Sequence, residues 1–167
     1  MLGSDPQPKG NTMNWDLLDY LAFGVMVTVA VTIVLLARRR SRSGAYRLAA
    51  IVAATGAFLL VWANGAVGII GNEENDANLL FFGVLGVAAL GALIARFRAR
   101  GMAKVLYATA GAQVLVAAVA IIMQLGASGA NWPNGLVIIT VFFAAIWIIS
   151  GLLFSKAAKS ERRLFAD

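Results

Sequence analysis

Residues 17–47 read LLDYLAFGVMVTVAVTIVLLARRRSRSGAYR, an apolar run that ends on three arginines. Residues 48–76 read LAAIVAATGAFLLVWANGAVGIIGNEEND, an apolar run of similar length that ends on acids. A bilayer core about 30 Å thick takes roughly 20 apolar residues per spanning helix. The windows Leu17–Ala37 and Leu48–Ile70 meet that length, and so do Leu79–Ala95, Val105–Leu125 and Leu136–Phe154.

Lipid offers the backbone no hydrogen bonds, so spanning segments are helices or closed-barrel strands. These runs are twice strand length and show no strict two-residue alternation, which selects helices. Composition agrees: the 167 residues are 60% hydrophobic, with a mean hydropathy of +0.81, more apolar surface than a soluble domain hides. The predicted fold is all-α, a bundle of five transmembrane helices. Segment 1–13, polar and holding Pro6 and Pro8, reads as a disordered extension without the pattern of a signal peptide, and Met13 is a candidate native start. Residues 14–156 form the membrane domain, and 157–167 a basic tail.

The loops alternate in charge. Arg38, Arg39, Arg40, Arg42 and Arg47 follow helix one; Glu73, Glu74 and Asp76 follow helix two. Arg96, Arg98, Arg100 and Lys104 follow helix three, and Lys156, Lys159, Arg162 and Arg163 follow helix five. Thirteen of the fourteen Lys and Arg thus fall on one side, with Lys9 alone opposite. Basic loops stay in the cytoplasm, so the N-terminus is expected outside and the C-terminus inside. A four-span alternative puts Arg98 or Lys156 on the wrong side. Helices two–three and four–five read as two hairpins of one orientation, with only weak signs of duplication.

The chain has no cysteine and no histidine, which removes thiol chemistry, disulfides, the usual zinc, copper and haem ligands, and the commonest neutral-pH acid–base residue. The net charge of +6 sits at helix ends and not on a basic domain, so no nucleic-acid partner is expected. No Asp, Glu, Lys or Arg lies near the middle of a span, which argues against a proton-coupled transporter. A neutral pore and a sodium site of carbonyls stay open. Neither a catalytic residue, a cofactor nor a metal is expected. Residues 71–78 offer oxygen ligands that suit calcium, but they lack the spacing of a calcium-binding hand. The simpler reading puts Asp76 at or near the N-cap of helix three.

Each helix carries a stripe of small or weakly polar residues: Tyr20, Gly24, Thr28 and Thr32 on helix one; Asn64, Gly65 and Gly68 toward the end of helix two; Gly83 and Gly91 on helix three; Gln113 on helix four. Small residues let membrane helices approach closely. The stripes pack the bundle internally, or one of them docks a partner. Asn64 and Gln113 are the most polar side chains inside spans; they pin helices together or line a polar path. Asp16 and Asp19 complement the first helix's dipole, and Trp15, Tyr20 and Trp132 mark interfaces. Arg38, Arg39, Arg40 and Arg42, with Arg96, Arg98 and Arg100, suit anionic lipid head groups on the cytoplasmic side.

The stretch Trp62-Ala63-Asn64-Gly65-Ala66-Val67-Gly68-Ile69-Ile70-Gly71, then Glu73 to Leu80, then Ala95 to Ala103, resembles a group of small bacterial inner-membrane proteins without assigned activity. The likeness spans helices one to four, with helix five looking like an addition. It implies a multi-pass protein of the bacterial inner membrane and brings no catalytic residue.

The expected role is a non-catalytic accessory or assembly subunit of a larger membrane complex, in contact with other membrane subunits or with itself. The alternative is a small oligomeric channel or transporter whose path runs along Thr28 and Thr32, or Asn64 and Gln113.

Overall fold

The computed structural model describes residues 17–72 and 74–163, the side chains of Leu18 and Asp19 excepted. The expected extension at 1–13, Asp16, Trp15 and Glu73 lie outside them. The described residues form five helices, each long and apolar enough to cross a membrane (the third counted from Asp76, with the 3-10 turn before it), and contain no strand. They are α1 (Leu17–Arg40), α2 (Gly44–Ala66), α3 (Leu80–Ile94), α4 (Ala99–Ile122) and α5 (Asn134–Arg163), with a 3-10 turn at Asp76–Leu79 leading into α3.

Helix ends depart from the apolar windows for identifiable reasons. α4 starts at Ala99, six residues before its window, because a helix continues through the charged interface once its core is spanned. α5 likewise runs on to Arg163, through much of the segment read as a tail. α2 stops at Ala66, four residues short of the predicted end. There Gly68 (φ 63°) and Gly71 (φ 80°) turn the chain through left-handed backbone, which glycine enters without a Cβ clash. Pro133 stands one residue before α5, and its carbonyl accepts from the Val137 amide at 3.1 Å.

The helices pack in the spatial order α1, α2, α5, α4, α3, with only slight contact between α2 and α3. The sequence hairpin of helices two and three is therefore not a packed pair. α5 lies between α2 and α4 and is the most buried of the five: 39% of its most apolar window is buried, against 6–33% in the others. The helix that the resemblance leaves out is the centre of the bundle.

α5 earns that place by the spacing of its buried face, Thr140, Phe143, Ala144, Trp147, Ser150, Gly151 and Phe154, which recurs at three- and four-residue steps. Bulk on one helix meets small residues on the next. A Cβ on Gly56 of α2 would fall 2.6 Å from Ile146 Cγ2 and 3.2 Å from Trp147. A Cβ on Gly151 would fall 2.7 Å from the Tyr107 ring of α4. Gly91 of α3 makes the same allowance for Val105 of α4. Close approach of this kind gains dispersion energy where lipid supplies no hydrophobic drive.

One fully buried hydroxyl ties α5 to α2: Ser150 Oγ donates to the Ala49 carbonyl at 2.8 Å. Because that carbonyl sits within a helix and keeps its backbone environment, Ser150→Ala should lower unfolding free energy in detergent by only about 0.6–1 kcal/mol. A melting curve beside the wild type checks this.

Candidate functional site

The basic groups collect at one end of the bundle. α3 closes through Arg96 and Phe97, both in left-handed backbone (φ 49° and 55°), and the chain re-enters helix at Ala99. That tight turn presents two carbonyls. Phe97 O accepts from the Tyr46 hydroxyl at 2.7 Å, and Arg96 O receives Arg40 Nη2 at 3.4 Å. Tyr46 also meets Phe154 of α5 edge-on, with ring centroids 5.0 Å apart. Arg47 folds back on the first loop, donating from Nε to Ser41 O at 3.0 Å and from Nη2 to Arg38 O at 3.4 Å. The α1–α2 loop, the α3–α4 turn and the end of α5 therefore share one face of the molecule. Arg38, Arg39, Arg40, Arg42, Arg96, Arg98 and Arg100 are all exposed there.

The opposite end is organised by asparagines. Asn78, 5% exposed, accepts at Oδ1 from the amides of Ile69 (2.9 Å) and Ile70 (2.8 Å), and donates from Nδ2 to Asn72 O at 2.6 Å. Its own carbonyl accepts from Asn64 Nδ2 at 2.9 Å. Asn75 caps the 3-10 turn by accepting from the Ala77 amide at 3.0 Å. It also reaches across to the Leu125 carbonyl at 2.6 Å, joining the α2–α3 loop to the α4–α5 loop. The two loops touch backbone to backbone: a Cβ on Gly129 would lie 2.8 Å from Gly71 Cα. Asn75, not Asp76, is the capping residue; Asp76 is the first residue of the turn.

Asn64 thus joins the end of α2 to the 3-10 turn that leads into α3. Gln113 behaves differently. It is 0% exposed, and among the described residues neither its Nε2 nor its Oε1 finds a hydrogen-bond partner. Thr140 Oγ1 and Trp147 Nε1 are likewise buried and unpartnered on α5.

Most of the remaining candidates lie on outer surfaces. Thr28 and Thr32 are exposed, and each hydroxyl donates to the carbonyl one turn back, to Gly24 and Thr28, at 2.7 Å. At about 100° per residue, Thr28 lies half a turn out of phase with Ala37, the buried residue of α1. The Gly24–Thr28–Thr32 stripe therefore faces away from the bundle. Gly65 and Gly83 are exposed with open space where a Cβ would stand. Gly68 is half-buried in the loop and belongs to no helix.

α1 is the outlier of the fold. Among the described residues it packs on α2 and has no other substantial helical neighbour, and only 6% of its most apolar window is buried. Phe23 anchors it edge-on to Phe58 and Trp62 of α2, at 5.9 and 5.6 Å between ring centroids. Sequence reading marked its stripe but not its isolation, because isolation is a property of packing order.

Among the described residues no three Asp, Glu, His or Cys side chains come together to hold a metal ion. The chain matches no protein-family model, no curated protein and no solved structure, so its site is read from its own geometry.

Proposed function

We propose that the protein is a non-catalytic accessory or assembly subunit of a larger complex in the bacterial inner membrane, and that α1 is the helix its partner holds. The supporting observation is the isolation of α1. Four helices bury small faces on one another, while among the described residues α1 packs chiefly on α2 and turns a small, self-bonded stripe outward. Back-bonded threonines present methyl groups and short side chains without an unmet donor, which suits close helix contact in lipid. In this reading the basic end lies in the cytoplasm, following the Lys and Arg bias.

A photo-crosslinking residue at Thr28 tests it in the native membrane, with one at Ile138, exposed on α5, as the control. The expected result is a discrete protein adduct from Thr28 and lipid adducts alone from Ile138. Lipid adducts alone at both positions would overturn the reading. An adduct at twice 17.6 kDa points instead to self-association, the arrangement of a small oligomeric channel or transporter.

A further inference from the structure

Beside the outward stripe, a groove of about 370 Å³ opens along the flank where α1 meets α2. α1 lines it with Ala30, Val31, Val34 and, nearest the basic loop, Arg38; α2 lines it with Ala54 and Phe58. From Ala30 to Arg38 the helix rises about 12 Å, a little under half of a bilayer core of about 30 Å. The groove thus runs from the middle of α1 to its basic end, the depth of one leaflet. The groove is open along one side and, apart from Arg38 and Thr55, its lining is apolar, which suits a hydrocarbon chain lying along it.

The arginines around it are not equivalent. Arg40 reaches the Arg96 carbonyl, and Arg47 reaches the carbonyls of Ser41 and Arg38. Among the described residues, nothing accepts a hydrogen bond from the Arg38 guanidinium, although its side chain lines an apolar channel. A cation at the end of an apolar groove is complementary to an amphiphile with an anionic head. We infer that the α1–α2 groove binds an anionic phospholipid of the leaflet at the basic end, with an acyl chain between Ala30 and Ala54 and the phosphate on Arg38. The bound chain fills the gap beside the least supported helix of the fold, so the lipid also braces α1.

The purified full-length protein in mild detergent is titrated with phosphatidylglycerol, phosphatidylcholine, diacylglycerol and inorganic phosphate, and bound species are read by native mass spectrometry. Phosphatidylglycerol is expected to bind most tightly. Arg38→Gln should weaken it about fivefold, the effect of one cation near an anionic surface, while Arg39→Gln, which removes the same charge one residue outside the groove, should change it less than twofold. Val31→Trp, at a half-exposed wall position, should weaken phosphatidylglycerol and diacylglycerol together. Equal losses from Arg38→Gln and Arg39→Gln would overturn the inference in favour of diffuse surface charge. Equal binding of phosphatidylglycerol and phosphatidylcholine, or full competition by inorganic phosphate, would overturn it as well.

Discussion

Asn78→Ala should lower the unfolding free energy in detergent by about 3–5 kcal/mol, the largest effect expected of any single polar substitution in the chain. The side chain makes three hydrogen bonds to backbone, two accepted from Ile69 and Ile70 and one donated to Asn72. Ile69 and Ile70 are 4% and 0% exposed, so their amides have no water to turn to when Asn78 is cut back. A buried donor left unmet costs about 1–3 kcal/mol, and here there are two, with a carbonyl besides. Asn64→Ala should cost only about 1 kcal/mol. Asn64 gives one bond, to the Asn78 carbonyl, and its own Oδ1 is already buried without a partner. Chemical unfolding of the two variants side by side is the measurement. Equal costs would mean that the loop can re-pair its amides, so that Asn78 is a local cap and not the centre of the loop.

The five helices were legible because lipid leaves the backbone so few options. Length, lack of alternation and basic ends suffice to find them. Packing order was not legible in the same way. Ala- and Gly-rich faces on all five helices look interchangeable in composition, and only the fit of particular pairs puts α5 in the centre: Trp147 over Gly56, Tyr107 over Gly151. Asn78 was missed for a different reason. It stands among acids in a loop, where polar side chains usually meet water. A signal was present nonetheless, since Asn64, Asn72, Asn75 and Asn78 flank one chain reversal. Asparagine carries the same donor and acceptor as a peptide group, so a cluster of it beside a turn is suited to replacing missing backbone partners.

Gln113→Met should raise stability by about 1–3 kcal/mol, against the sequence-based expectation that this amide pins helices and that losing it weakens the bundle. The sign turns on hydrogen bonding. Gln113 is fully buried in the stripe that α4 turns inward with Thr109, Ala110 and Ala117, and both amide atoms lack partners. Folding takes the amide out of reach of the partners available at a micelle surface and returns nothing, so an unbranched apolar side chain of similar length keeps the packing and removes the penalty. The gain stays below the full transfer cost because separated helices in detergent still shield much of the side chain. Gln113→Ala separates the two contributions. It removes the same amide but opens a cavity, which offsets the gain, so it should fall well below Gln113→Met. A rise for Met with little change for Ala identifies an unmet amide. A fall for both would mean that Gln113 is partnered in the membrane, by water or by a group from another chain, and the polar-path reading of α4 would then regain its footing.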